Sequence, residues 1–327
     1  MHLAALSASI PSPSFNQIHL GPLDLRMYGL CIALGVIAAV TISSRRWEAR
    51  GGNPDDIGTI AIWAVPAGVI GARIYHVATD WKTYDGHWVD ALKITQGGLG
   101  IPGGILAGVL AGLAVVRVKK LPAVPLLDVV APAIPVAQAI GRLGNWFNQE
   151  VFGRPTTLPW GLEIEPQFRP VRYADHATFH PTFLYEGLWN IGLALLLVRL
   201  ERTRRLRPGE LFGLYVLGYA VGRFWVEGLR SDNASLILGL RVNIWMSLIV
   251  GFLAVAALIR LHRRPLPDTP YPSPNTAAEF GGALVVAGPD GGAAEPAVDP
   301  DDEVAHEHEP EPEPAADAAD EGGAGSG

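Results

Sequence analysis

The stretch 141–150 concentrates polar side chains directly after a long apolar run. It reads Gly-Arg-Leu-Gly-Asn-Trp-Phe-Asn-Gln-Glu. Polar groups are costly to bury beside apolar sequence unless a partner or a ligand satisfies them. An arginine between glycines suits an anion, because the guanidinium donates two parallel hydrogen bonds and the glycines leave backbone amides accessible. Arg142 and Asn145 are therefore candidate ligands of a phosphate group.

A second polar group is spaced for one face of a helix. Tyr219, Arg223, Glu227 and Arg230 follow one another at intervals of four, four and three residues, which places them on one side of an α-helix. On a water-exposed helix, a pair of Arg223 with Glu227 would contribute only about 0.2–0.5 kcal/mol. Inside a membrane span, each charge costs about 2.5–3.5 kcal/mol to insert. The stripe therefore predicts a polar partner or a ligand.

A third candidate residue, Glu186, follows a proline that is compatible with the start of a helix. Residues 180–186 read His-Pro-Thr-Phe-Leu-Tyr-Glu, and proline is favoured in the first helical turn. Glu186 then lies one turn inside the next apolar run, where we expect it to pair with the arginines. The simpler alternative is a helix start that His180 caps.

The elements that must position these side chains predict an all-α integral membrane protein. Of the 327 residues, 49% are hydrophobic and 17% are charged, and apolar runs of about 18 or more residues are typical of membrane helices. Prolines interrupt the fourth run, which we therefore expect to be kinked. Glycines at four-residue spacing in the third run predict close approach of another helix. The seven predicted spans are 24–43, 57–77, 98–117, 123–142, 182–199, 211–229 and 242–261.

Basic residues predict the orientation of the spans. Clusters that total 14 Arg and Lys follow spans one, three, five and seven, which all end on one side. By the positive-inside rule that side is the cytoplasm, so the N-terminus is outside and the C-terminus cytoplasmic. The polar residues described above then fall at the outer ends of their spans. The chemistry is predicted to face outward.

Charge also divides the chain into parts. Residues 265–327 contain 15 Asp and Glu and no Lys or Arg, so the first 264 residues carry all 25 basic residues and 17 acidic ones. Few apolar residues in this tail predict a disordered, acidic cytoplasmic segment. Residues 1–23 form an outer N-terminal segment, and 24–264 form the membrane domain with an outer loop at 143–181. The single cysteine, Cys31, lies in the first apolar run and is predicted to be a core residue.

The combined motifs resemble the bacterial phosphatidylglycerol–prolipoprotein diacylglyceryl transferase family. The resemblance covers residues 24–261 and rests on motifs in the family's order. They are Arg26-x-Tyr28-Gly29, Gly71-Ala72-Arg73, Gln96-Gly97-Gly98, Gly141-Arg142-x-Gly144-Asn145-x-x-Asn148-x-Glu150, Gly153-Arg154-Pro155, His180-Pro181-x-x-Leu184-Tyr185-Glu186 and Tyr219-x-x-x-Arg223-x-x-x-Glu227-x-x-Arg230.

This resemblance implies a seven-helix enzyme of the bacterial cytoplasmic membrane that works from the outer leaflet. Its substrates would be phosphatidylglycerol, a membrane lipid, and the lipobox peptides of prolipoproteins. The diacylglyceryl group would pass to the lipobox cysteine, with a thioether as product and glycerol phosphate as leaving group. The resemblance implies no metal, no other cofactor and no nucleic acid.

The reaction suggests a role for each candidate residue. Negative charge grows on the leaving phosphate, so fixed cations aimed at it lower the barrier. We assign Arg142 and Arg223 to the phosphate, with Arg230 as a third contact or a gate. The other site residues are expected to hold the glycerol head or ester (Tyr28, Asn145), to orient the arginines (Glu150, Glu227), to shape the backbone (Gly153) and to complete the lipid-binding surface (Glu186, Tyr219).

One position departs from the family pattern. Many members carry His-Gly-Gly in span three, with the histidine assigned as a base, whereas this chain has Pro102-Gly103-Gly104. Another histidine, His76 or His180, is one substitute. Alternatively no base is needed, because a thiol with a pKa of about 8.5 is already partly ionised near neutral pH.

Two other function classes fit parts of the sequence. Charges within membrane spans also mark the pathways of transporters and channels. No internal repeat is evident and the polar residues cluster at one end of the spans, which disfavours that alternative. The second alternative is a different phospholipid-using transferase or hydrolase on the same scaffold.

Overall fold

The computed structural model describes residues 9–21, 23–92, 97–232 and 234–266. The predicted acidic tail, apart from its first two residues, lies outside this part of the chain, as does Gln96 of the third motif. The helices are α1 (Met27–Glu48), α2 (Pro54–Thr79), α3 (Ile101–Val118), α4 (Ala123–Val130), α5 (Ala133–Phe147), α6 (Thr182–Thr203), α7 (Glu210–Leu229) and α8 (Val242–His262).

Short antiparallel strand pairs join the helices. The first pair precedes α1, the second lies in the long connection between α5 and α6, and the third precedes α8. The strands are β1 (Gln17–Leu20), β2 (Leu23–Arg26), β3 (Leu162–Glu163), β4 (Thr178–Phe179), β5 (Leu236–Ile237) and β6 (Leu240–Arg241). The fold is thus mostly helical, and its strands are confined to the connections.

Within the described residues, five helices are long and apolar enough to cross a membrane, namely α1, α2, α3, α6 and α8. Helices α4 and α5 together would make a sixth span, bent by 43° at the break between them. This confirms the predicted kink of the fourth span, where Pro132 supplies no backbone N–H to continue a helix. Helix α7 has 20 residues, contains Arg223 and Glu227, and is not among these helices.

Glycines set the contact between α2 and α3. A Cβ atom added at Gly104 would lie 3.2 Å from the carbonyl oxygen of Gly68, and one at Gly108 would lie 3.2 Å from that of Ala64. Both distances are shorter than ordinary van der Waals contact, so larger side chains would push the helices apart. The predicted close approach along the glycine ladder is confirmed.

Ion pairs join the helix ends opposite the candidate site. The Arg46 guanidinium pairs with Glu201 at 2.8 Å and donates to the carbonyl of Val129 at 2.8 Å. The buried carboxylate of Asp128 accepts from the backbone amides of Gly209 (2.6 Å) and Phe212 (2.9 Å). Asp128, in α4, therefore caps the N-terminus of α7, the helix that carries Arg223.

We expect Asp128→Ala to destabilise the protein, because it leaves the first amides of α7 without their acceptor. Loss of an N-terminal cap typically costs about 0.5–2 kcal/mol. The measurement is the melting temperature of the purified protein in detergent. Asp55→Ala, which removes an exposed carboxylate from the first turn of α2, is the control and should leave it unchanged. An equal effect of both substitutions would contradict the capping role.

The connection between α5 and α6 folds on its own apolar cluster at the site end of the bundle. Its buried residues are Phe152, Leu162, Ile164, Phe179 and Phe183. The segment before α1 joins it, since Ile10 pairs with Leu162 as an isolated bridge. This packing holds residues 148–181 against the ends of the helices that carry the site.

Candidate active site

Arginines from two helices meet one buried carboxylate. Arg142 of α5 places Nη2 at 2.6 Å from Glu186 Oε1, and Arg223 of α7 places Nη1 at 3.6 Å from Glu186 Oε2. Glu186, on α6, is only 3% exposed. The two guanidinium groups therefore lie on either side of one carboxylate, although their residues are 81 positions apart in the sequence. The predicted partnership of Glu186 with the arginines is confirmed.

A second carboxylate holds Arg223 from its own helix. Arg223 Nη2 lies 2.7 Å from Glu227 Oε2, at an angle unsuited to a hydrogen bond. Glu227 is fully buried, and its Oε1 accepts from Arg241 Nε (2.5 Å) and Asn243 Nδ2 (3.2 Å). Arg223 Nη1 is also buried and has no hydrogen-bond partner in the described structure. The cluster thus contains a positive donor that its neighbours do not saturate.

Local sequence explains how Arg142 reaches this cluster. Helix α5 continues to Phe147 instead of ending at the predicted residue 142. Arg142 therefore projects from within a helix, and Asn145 lies one turn further along the same face. Arg142 Nη1 donates to Asn145 Oδ1 at 3.1 Å, and Asn145 Nδ2 donates to Glu150 Oε1 at 2.9 Å. Glu150 thus acts on Arg142 through the amide of Asn145.

Tyr28 packs onto the same region of α5. A Cβ atom added at Gly144 would lie 2.6 Å from Cδ2 of Tyr28, so the missing side chain at Gly144 makes room for the ring. Tyr28 is within electrostatic range of Arg142 and Glu150. The first turn of α1 therefore contributes a phenol beside the arginine.

Arg230 lies just beyond the end of α7 and is held by acidic neighbours. Its Nε and Nη2 donate to the two carboxylate oxygens of Asp232 at 2.7 and 2.9 Å, and its Nη1 lies 3.7 Å from Glu227. Burial opposes ionisation of both side chains. Their hydrogen bonds and charges outweigh it, so the pKa of Asp232 is lowered and that of Arg230 is raised. Arg241 also contacts Asp232 at 3.0 Å.

Gly153 and His180 connect the long loop to α7. The Gly153 amide donates to the carbonyl of His180 at 2.9 Å, and Gly153 also forms an isolated bridge with Arg230. A Cβ at Gly153 would lie 2.6 Å from that of His180. His180 Nδ1 lies 3.2 Å from the Tyr185 hydroxyl, and burial and nearby Arg154 lower the pKa of its imidazole. Both effects favour the neutral form of the His180 imidazole.

Four further residues named from the sequence are Tyr219, Arg73, His76 and Pro102. Tyr219 lies one turn deeper than Arg223 on α7, with its ring 6.2 Å from that of Tyr215. Arg73 donates to four backbone carbonyls, of Asp90, Ala91, Gly97 and Gly98, and so anchors the connection between α2 and α3. His76 packs beside Gly98 and makes an edge-on contact with Tyr84 at 6.1 Å. Pro102 lies in the first turn of α3.

Sequence reasoning did not identify four polar residues of this region. Arg241 and Asn243 complete the surroundings of Glu227. Gln138 and Asn190 lie one turn deeper than Arg142 and Glu186. The buried Oε1 of Gln138 and both amide atoms of Asn190 make no hydrogen bond to the residues that the structure describes. Two sequence features could have identified three of these four residues. Gln138 and Asn190 each lie four residues from a predicted site residue, and Arg241 lies at the end of a span where the positive-inside rule expects no arginine.

A bundle of apolar helices with a buried cluster of arginines and carboxylates near one end is typical of a membrane protein with a functional site between its helices. The family model described as prolipoprotein diacylglyceryl transferase matches residues 16–260. The chain belongs to this family, as the sequence motifs predicted, and it is a transferase.

Similar proteins carry the corresponding name. Phosphatidylglycerol–prolipoprotein diacylglyceryl transferase 2 of Streptomyces coelicolor is 51% identical over 262 residues, which cover 79% of this chain and 83% of that protein. The enzyme of that name from Corynebacterium efficiens is 49% identical over 267 residues, covering 78% and 83%. The one from Frankia alni is 50% identical over 266 residues, covering 80% and 70%.

Proposed function

We propose that this chain transfers the diacylglyceryl group of phosphatidylglycerol to the lipobox cysteine of prolipoproteins. The observation that carries the proposal is the placement of Arg142 and Arg223 around one carboxylate, with the buried Nη1 of Arg223 making no hydrogen bond to any described residue. The names of the relatives supply the two substrates. The cysteine sulfur forms a bond to the glyceryl carbon that bears the phosphate. The carbon–oxygen bond breaks, and its electron pair leaves with glycerol phosphate.

The two arginines stabilise the charge that develops on the leaving phosphate. Each is already oriented by carboxylates and amides of its surroundings, so little reorganisation is needed when the charge appears. Arg142 is held by Glu186 and Asn145, and Arg223 by Glu227. Planar guanidinium groups also match the geometry of phosphate oxygens. We therefore assign the phosphate to the space between these two side chains.

The other candidates take supporting roles. Arg230 reaches a phosphate only by giving up its two hydrogen bonds to Asp232, so we assign it the role of a gate. Tyr28 and Asn145 hold the glycerol head, because both flank Arg142. Tyr219, one turn deeper, faces the ester region of the lipid. Gly153 acts through packing, since its amide already donates to His180.

No histidine side chain contacts Arg142, Arg223 or Asn145 in the described part of the chain. We therefore predict that the ionisation of the acceptor thiol controls the pH dependence, and that kcat/KM rises with pH towards a pKa of about 8.5 or somewhat below, because arginines favour the thiolate. Matched pH–rate profiles of the parent, His76→Gln and His180→Gln proteins test this. If kcat/KM no longer falls at low pH in one of the two variants, the histidine replaced in that variant is the base.

Topology is the second part of the proposal. With α7 as the sixth span and α4–α5 as the fourth, the chain crosses the cytoplasmic membrane seven times, with its N-terminus outside and the site towards the outer leaflet. The acidic segment 265–327 is then a cytoplasmic tail. Supporting this, the basic clusters at the ends of α1, α3, α6 and α8 lie opposite the site. An impermeant maleimide applied to intact cells should label Val89→Cys and spare Arg205→Cys, and the reverse result would overturn the orientation.

A reconstituted transfer assay tests the activity. The purified protein is incubated with glyceryl-labelled phosphatidylglycerol and a lipobox peptide, and we expect labelled peptide together with free glycerol phosphate. A peptide with serine in place of the cysteine is the control and should stay unlabelled. Lipid cleavage without peptide labelling would identify a hydrolase, and lipid movement without cleavage would identify a transporter.

A further inference from the structure

A polar cavity of about 690 Å³ lies beside the arginine cluster, outside the helical bundle. Its walls come from four separate segments: the strand pair before α1, the turn after α5, the loop around residue 168, and the residues after α7. Representative lining residues are Gln17, Arg26, Glu150, Gln167 and Asp232. Segments that are remote in sequence thus enclose a volume within the range of about 300–1,000 Å³ that is usual for ligand sites.

Two connections made of hydrogen bonds and ion pairs lead from this cavity to the phosphate arginines. Glu150 in the wall accepts from Asn145, which in turn accepts from Arg142. Asp232 in the wall accepts from Arg241, which also donates to Glu227, the partner of Arg223. A ligand in the cavity therefore lies against the residues that orient both arginines.

The wall chemistry matches a peptide backbone. Five of the thirteen lining residues carry carboxamide side chains, namely Asn16, Gln17, Asn148, Gln149 and Gln167. A carboxamide has a donor and an acceptor, the two groups that an extended peptide presents in alternation. Gln149 is buried and already hydrogen-bonded to Pro13 and Glu165, so it shapes the wall and does not meet the ligand. The volume far exceeds that of a glycerol head group, and the polar walls do not suit acyl chains.

The wall also contains strained backbone. Val151 has φ of 60°, a left-handed conformation that is unfavourable for a β-branched residue and costs on the order of 1–3 kcal/mol. Its carbonyl accepts a hydrogen bond from the Thr182 hydroxyl at the start of α6. Such strain is concentrated at ligand-binding segments, where the surrounding structure holds it in place.

We propose that this cavity binds the peptide substrate, holding the water-exposed chain next to the acceptor cysteine in an extended conformation so that the thiol faces Arg142 and Arg223. The inference rests on the proposed function, because it needs a peptide acceptor. It adds the site at which that acceptor binds. Binding of the glycerol head group in the same cavity is the competing outcome.

Kinetics of a double variant separate these outcomes. Gln17→Leu with Gln167→Leu removes two carboxamides from different walls, and both are at least partly exposed, so folding should be preserved. We expect the KM for a lipobox peptide to rise about thirtyfold, since each of the two lost hydrogen bonds is worth about 1 kcal/mol, with kcat and the KM for phosphatidylglycerol unchanged. A rise only in the lipid KM would assign the cavity to the head group. No change in either KM would overturn the proposal.

Cross-linking tests the same inference without relying on kinetics. The only native cysteine, Cys31, is buried, so a cysteine at position 17 or 167 provides a single accessible thiol. The probe is a lipobox peptide with serine at the acceptor position and a bromoacetyl group two residues after it. We expect cross-links at Gln17→Cys and Gln167→Cys that unmodified peptide suppresses. Val89→Cys, at an exposed position of segment Trp88–Leu92 that does not line the cavity, is the matched control.

The results distinguish failure of the inference from failure of the proposed function. Equal cross-linking at Val89→Cys, or no suppression by competing peptide, would overturn the cavity assignment. If the parent protein is active in that case, the proposed transferase function still stands. A parent protein that transfers no diacylglyceryl group to any lipobox peptide would overturn both.

Discussion

Replacing Arg223 by glutamine should lower kcat by about two to three orders of magnitude, the usual effect of removing one donor that stabilises a developing charge. Glutamine keeps much of the side-chain length but removes the positive charge and the paired donor geometry. Arg223 is the stronger choice of the two arginines because its Nη1 atom is buried and makes no hydrogen bond within the described part of the chain. Arg142, by contrast, donates to both Glu186 and Asn145. The measurement is the rate of thioether formation at saturating lipid and peptide.

Two further variants make this experiment decisive. Arg202→Gln removes an exposed arginine near the end of α6 and should retain the parent rate. Arg223→Lys keeps the charge but loses the planar fork, and we expect an intermediate rate. Turnover of Arg223→Gln within a few-fold of the parent protein would refute the assignment of Arg223 to the phosphate.

Glu227→Gln should damage both the fold and the activity. Glu227 is fully buried and contacts three arginines, at 2.7 Å (Arg223), 3.7 Å (Arg230) and 2.5 Å (Arg241). Removal of one member of a buried ionic group leaves the others uncompensated and typically costs about 3–5 kcal/mol. We therefore expect a large fall in melting temperature in detergent, together with a loss of turnover because Arg223 is no longer held.

Glu48→Gln is the matched control for this change. It neutralises an exposed glutamate at the end of α1 and should alter neither the melting temperature nor turnover. An unaltered melting temperature for Glu227→Gln would show that the arginines find other compensation. In that case Glu227 does not act as the support of Arg223 that we propose.

Local sequence was enough to predict many features of the fold. Four-residue spacing on α7 placed Arg223 and Glu227 on one face, and prolines predicted the bend between α4 and α5. Glycine spacing predicted the close contact of α3 with α2. These features depend on helix geometry and on steric limits within a few residues, which act the same way in any fold.

The surroundings of Glu227 could not be predicted from local sequence. Arg241 is the last residue of β6 and Asn243 lies in the first turn of α8, both outside the predicted site motifs. Only the packing of α8 beside α7 brings them to this carboxylate. Helix α5 likewise continues beyond the predicted boundary, because polar residues ended the apolar run before the helix ended. Hydropathy marks where a segment leaves an apolar environment, and backbone hydrogen bonding can continue past that point.

By itself, the sequence determined the family, the helical class of the fold and the arginines and carboxylates that form the candidate site. Charge, glycine and proline patterns carry this information because each reflects a constraint that a residue meets in its own segment. Only the tertiary structure decided that Arg142 and Arg223 share Glu186, that Arg230 is engaged by Asp232, and that four distant segments enclose a polar cavity. Those contacts depend on how helices pack across long sequence separations, and side-chain spacing along one helix does not specify its neighbours.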